Sequence, residues 1–172
     1  ISGGRLLLGL GAGAAPNTAW SAEHRALGLD LAPTIATRHQ RLADALDLLD
    51  EMWGDDRPAA YEHFHLPRPR PRVFLGVNSE PLARLAAVRT DGFNVRRSHE
   101  DLPAIIGAAT AARAASDRVG DPMIVSVWAE WDRGLADPDH PDRRRWAELG
   151  VNRLVLVCLN PHDPVELGRF FA

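Results

Sequence analysis

The sequence predicts an α/β fold built on a parallel sheet. Five short apolar runs recur along the 172 residues, each is followed by a stretch with helical signals, and turn residues separate the two. The runs are mostly apolar throughout rather than alternating, as strands covered on both faces should be.

Residues 5–10 form the first run and open into Gly9, Gly11 and Gly13, as a buried strand leading into a glycine-rich loop would. Over residues 34–53, Leu42, Ala45, Leu46, Leu49, Met52 and Trp53 recur at three- and four-residue steps, which predicts a helix closed by Gly54. The pattern dissolves over residues 55–72, where the aromatic stretch 61–66 suggests a short hairpin and Pro67, Pro69 and Pro71 an extended linker. Residues 73–75 read as the second strand, Ser79 as an N-cap and Pro81 as an early-turn proline for a helix ending near Arg89.

Asp91-Gly92 turns into a third strand at residues 93–95. Ser98, with Asp101 three residues on, resembles a capping box for a helix running to about Arg118. Residues 123–131 are rich enough in β-branched residues for a fourth strand, 141–149 form a short helix stopped by Gly150, and 154–159 give a fifth strand before a terminal helix at 164–171.

A hydrophobic share of 45% and a net charge of −3 describe a globular chain with a real core, organised as one domain or a piece of one. No stretch approaches the roughly 18 to 20 apolar residues of a membrane span and no signal peptide is visible, so the cytoplasm is the default. All 20 basic residues are arginine, which with a near-balanced charge does not make a nucleic-acid surface. The chain starts at Ile1, directly before an apolar run, and reads as a fragment.

Glycine at 9, 11 and 13 permits unusual backbone angles and close approach of backbone N–H groups to a ligand. Read as Gly9-x-Gly11-x-x-Ala14, with Asp30 further on, the segment also fits a permissive Rossmann-type NAD(P) fingerprint. Pro16, Asn17 and Thr18 stand where the Rossmann helix should begin, and residues 26–31 make a poor second strand. The bland alternative is that the glycines only shape a strand exit.

Ser2-Gly3-Gly4-Arg5 with the following Gly9, Gly11 and Gly13 resembles the "SGGR…GxGxG" segment of luciferase-like monooxygenases. The helix from Arg38 to Met52-Trp53 is similar to that family's "R…E…LW" helix, with Asp44 near the usual glutamate. Gly76-Val77-Asn78-Ser79 is similar to its "VGGNS" turn, Asp91-Gly92-Phe93 to its "ADGW" strand, and Leu149-Gly150-Val151 to its "LGV". These landmarks follow in family order over essentially the whole chain. The resemblance implies a (β/α)8 TIM barrel, here a partial barrel of about five strand-helix units matching the fourth to eighth strands, with the first three absent.

The resemblance further implies a flavin-type cofactor, coenzyme F-420 (a deazaflavin) or alternatively FMN, that exchanges hydride with a small organic substrate or supports its monooxygenation. It assigns Gly11, Gly13 and Asn17 to the cofactor, Asn17 being similar to an asparagine that helps hold the deazaflavin in F-420-dependent members. It assigns Gly76, Val77, Asn78 and Ser79 to the cofactor's phosphate, which the start of a helix would favour on physical grounds alone; Val77 stands where a second glycine is commoner. Ser79 could equally be a plain N-cap and Asn17 a plain turn former.

No catalytic acid or base is identifiable. The missing strands would expose apolar edges, so a non-catalytic remnant or pairing half of such a barrel is a second reading; a homo-oligomer is also expected. Glu23 and His24 could face substrate. His63 and His65 lack a third ligand for a metal site, Trp128, Trp131 and Trp146 read as core or interface anchors, and the single cysteine, Cys158, reads as a buried, inert thiol.

Overall fold

The computed structural model describes residues 3–159 and 163–169. It resolves into two compact units, Ile1–Gly76 and Val77–Ala172.

The first unit holds β1 (Leu7–Leu10), α1 (Ala22–Ala26), α2 (Ile35–Trp53) and β2 (Arg72–Gly76). β1 and β2 pair in parallel, Leu7 opposite Arg72 and Leu10 opposite Leu75. Val73, Phe74 and Leu75 make β2 the buried strand, whereas β1 is half-exposed rather than buried as its apolar sequence suggests. In α2 the buried stripe is Leu42 and Leu46, one helical turn apart.

Thr34 starts α2 with its backbone extended and its hydroxyl accepting from the Thr37 N–H at 3.1 Å. Thr34→Ala is therefore expected to cost about 1 kcal/mol, read as a lower urea midpoint at unchanged slope. A loss below the precision of that measurement would show that the cap contributes nothing.

The hairpin expected at residues 61–66 does not form. A 3-10 turn, Ala59–Tyr61, stands there instead. Arg57 donates to the carbonyls of Phe64 at 2.9 Å and Glu62 at 3.1 Å, taking two acceptors a ladder would have used. The prolines that follow cannot donate to one.

In the second unit come α3 (Glu80–Arg89), β3 (Gly92–Arg96), α4 (Leu102–Ala114), β4 (Ile124–Glu130), α5 (Pro141–Glu148), β5 (Arg153–Val157) and α6 (Pro164–Gly168). β4 pairs in parallel with β3 on one side and β5 on the other, Asn94 lying opposite Ser126 and Arg96 opposite Trp128. Phe93, Val95, Val125, Val127 and Ala129 alternate along the strands and are buried. α3 packs on α4 and on β3. Buried Ala83, Ala86 and Ala87 on α3 and Ile105, Ile106 and Ala109 on α4 give that contact small residues against branched ones, which lets the helix axes approach closely.

Beneath this layer, Arg113 is 5% exposed. Its guanidinium donates to the carbonyls of Ala87 (2.6 Å), Thr90 (3.1 Å), Asp121 (3.2 Å) and Pro122 (3.4 Å), so one side chain ties the end of α3 to the approach to β4. Arg118 reinforces it through Thr90 O at 2.7 Å, Asp91 at 3.1 Å and Asp121 at 3.0 Å.

Several expectations change here. α4 begins at Leu102 with Asp101 as its N-cap and ends at Ala114, so Ser98 is not its cap and the helix stops short of Arg118. β5 ends at Val157, which leaves Cys158 beyond the sheet and exposed rather than buried. The last helix is described only over Pro164–Gly168; Phe171 and His162 lie outside the described residues. The Rossmann reading fails, because a 3-10 turn at Ala19–Ser21 and the short α1 follow the glycine loop where a long helix should open, and Asp30 ends no strand.

Candidate cofactor site

The loop after β2 feeds the N-terminus of α3, a ten-residue helix. Val77 is buried and its N–H is already committed to Asn94 O at 2.9 Å, so that amide is not available to a ligand. Ser79 occupies the N-cap position with extended backbone, φ −160° and ψ 156°, yet its side chain makes no cap bond. Part of the reason is local: Pro81, the second residue of α3, has no N–H to offer a cap. Ser79 Oγ is consequently a buried hydroxyl without a hydrogen-bond partner. It sits at a helix start, where first-turn N–H groups lack intrahelical acceptors and the peptide dipoles present positive potential. A phosphate fits that donor set: it supplies acceptors to a hydroxyl and amides that lack them, and negative charge to the positive end.

Asn78 is exposed and its carbonyl faces His99 Nε2 at 3.0 Å. His99 Nδ1 in turn accepts the Asp101 N–H at 3.2 Å, at the start of α4.

In the first unit, Gly13 has φ +76°, a left-handed conformation that favours glycine, while a side chain at Gly11 would meet nothing within 4 Å. A Cβ at Gly76, closing β2, would lie 3.8 Å from Leu10 O, an ordinary contact. Asn17 is exposed in the turn that follows the glycines. That turn is pinned from below: the hydroxyl of buried Ser21 lies 2.7 Å from both Pro16 O and Thr18 O, which share its one proton, and Arg25 donates to Pro16 O at 2.9 Å and to Ser21 Oγ. Glu23 is exposed, and His24 Nδ1 is buried without a partner.

The second unit also carries a cleft that sequence reasoning missed. Arg96, Arg97 and Ser98 at the end of β3, with Trp128, Glu130, Trp131 and Asp132 at the end of β4, line a space of about 440 Å³. Arg96 lies over the Trp128 ring at 5.2 Å and 3.5 Å from Glu130, so the floor is an aromatic face carrying a paired cation. Arg97 is 3.8 Å from Asp142. Below them on the same strands, Asn94 Oδ1 and Ser126 Oγ are buried without partners. These residues stand at strand ends, where barrel chemistry gathers; Trp146, by contrast, is core.

The model for luciferase-like monooxygenases matches residues 1–131. The chain belongs to that family. A curated relative, the F420-dependent glucose-6-phosphate dehydrogenase of Microbacterium testaceum (strain StLB037), is 27% identical over 96% of this chain and 51% of its own length, so the chain spans about half of that relative. Among solved structures it is similar to an F420-dependent secondary alcohol dehydrogenase in complex with an F420-acetone adduct, with a TM-score of 0.60, 14% identity, and coverage of 89% of this chain and 64% of that one. The fold of this family member is thus α/β, part of a luciferase-like (β/α)8 barrel. Among the described residues no helix is long and apolar enough to cross a membrane, and no three His, Cys, Asp or Glu residues cluster to hold a metal.

Proposed function

We propose that this chain is the C-terminal part of an oxidoreductase barrel completed by three further strands, and that it holds the phosphate side of a site for coenzyme F-420. The observation that carries the reading is the buried, unpartnered hydroxyl of Ser79 at the start of α3. Asn78 and Ser79 would bind the phosphate, with Gly76 and Val77 shaping the approach. Gly11, Gly13 and Asn17 are assigned to the cofactor by family resemblance, Gly11 having open space above its backbone. Both named relatives being F420-dependent supports the deazaflavin over FMN. When bound, the cofactor supplies or takes up a hydride. FMN with monooxygenation is the alternative; a cytoplasmic location and self-association complete the reading.

The cleft of Arg96, Trp128 and Glu130 suits a small polar substrate: an aromatic face for its apolar side, and a carboxylate and guanidinium for its hydroxyl or carbonyl oxygens.

Titration of the chain with F-420 and with FMN, followed by absorbance and fluorescence, tests the proposal. F-420 is expected to bind at micromolar concentration and more tightly than FMN. Binding of neither overturns it and favours a non-catalytic pairing half.

A further inference from the structure

We infer that His99 is a positioning residue for this cofactor site, acting as a two-jawed clamp that aims the Ser79 N–H; the inference rests on the F-420 reading. The tautomer follows from the partners. The Asp101 N–H can only donate, so Nδ1 is the acceptor at 3.2 Å and the ring proton sits on Nε2. That proton points at Asn78 O, 3.0 Å away, which can only accept. The backbone of His99 is itself fixed at both ends, its N–H donating to Arg96 O at 3.1 Å and its carbonyl accepting from Leu102 N at 3.2 Å. The ring therefore has a rigid base in the loop between β3 and α4 and reaches across to the loop before α3.

Holding a carbonyl fixes more than the carbonyl. In a planar trans peptide the C=O of one residue and the N–H of the next point in opposite directions. Tying Asn78 O to the imidazole therefore turns the Ser79 N–H away from His99. One ring bond sets the direction of a donor to which His99 makes no contact. The same peptide leads into the Ser79 carbonyl that accepts the Ala83 N–H at 3.0 Å, and it follows Val77, whose N–H is held by Asn94 O. The amides of Val77 and Ala83 are thus built-in reporters of whether this segment is held.

The two jaws can be separated by substitution. His99→Gln places an amide NH2 near the position of Nε2 and keeps the bond to Asn78; His99→Asn places a carbonyl oxygen near Nδ1 and keeps only the bond to Asp101. Amide exchange at Val77 and Ala83 is expected to quicken at least several-fold in His99→Ala and His99→Asn and to return towards wild type in His99→Gln. The F-420 Kd should follow the same order, rising about three- to tenfold in the alanine and asparagine variants. Thermal stability should follow the other order, with asparagine recovering more than glutamine. Unchanged exchange in His99→Ala, equal behaviour of Gln and Asn, or altered exchange with an unaltered Kd would each overturn the clamp. If the wild-type chain binds no F-420, the cofactor reading falls, and the exchange measurement still decides whether His99 holds the segment.

Discussion

Arg113→Met is expected to destabilise the second unit by about 3 kcal/mol. Methionine fills much of the volume of the arginine stem and removes the guanidinium. The carbonyls of Ala87, Asp121 and Pro122 then lose this donor, while Thr90 O keeps Arg118 at 2.7 Å. Stranding a buried acceptor costs about 1–3 kcal/mol each, tempered where water can enter from the exposed side of Asp121 and Pro122. Burial lowers the pKa of Arg113, the neighbouring Arg118 lowers it further, and Asp121 and Asp91 oppose both. The group stays charged, so its deletion removes charge-assisted bonds. Urea unfolding would report the loss, with Arg113→Lys, one point donor in place of a fork, falling between. A loss under 1 kcal/mol would mean the carbonyls find other donors.

Ser79→Asp should weaken F-420 binding by roughly 30- to 150-fold, equivalent to about 2–3 kcal/mol. Aspartate is as good an N-cap as serine, so the helix start is expected to keep or gain stability. A carboxylate in place of the Ser79 hydroxyl, however, replaces a donor to the phosphate with a like charge. Half-burial of the position keeps solvent from screening all of that repulsion. Loss of affinity without loss of stability is the signature; Ser79→Ala should lose only the hydroxyl's share, on the order of 1 kcal/mol. Unchanged affinity in Ser79→Asp would remove the phosphate from this helix start.

Much of the fold was legible because strand and helix periods differ and are punctuated. Asp91-Gly92 announced β3, and the three- and four-residue steps up to Trp53 announced α2. Two of the errors share a cause: a local motif whose groups were committed elsewhere. Ser98 and Asp101 have capping-box spacing, but His99 took the Asp101 N–H through its ring. Tyr61 and Phe64 look like strand residues, but Arg57 bonds across that segment and the two rings pack edge to face, 6.0 Å apart. Cys158 follows an apolar run that the sheet abandons one residue earlier.

The Ser79 loop could be located from a strand, a turn and an early proline. Its unused hydroxyl could not, since cap formation depends on three-dimensional geometry. The Arg96–Trp128 cleft was within reach of one rule, that chemistry gathers at the carboxyl ends of barrel strands. Applied to each strand in turn, it would have picked out Arg96, Arg97, Glu130 and Trp131. Arginine and tryptophan are individually too common in surfaces and cores to have signalled it.

The exposure of Cys158 has a practical consequence. These 172 residues hold one thiol, so oxidation during storage could join two copies of them and mimic self-association, and any measurement of their assembly needs a reductant. The same thiol is a unique chemical address. A maleimide dye placed there would sit one residue past β5, reporting on that end of the sheet.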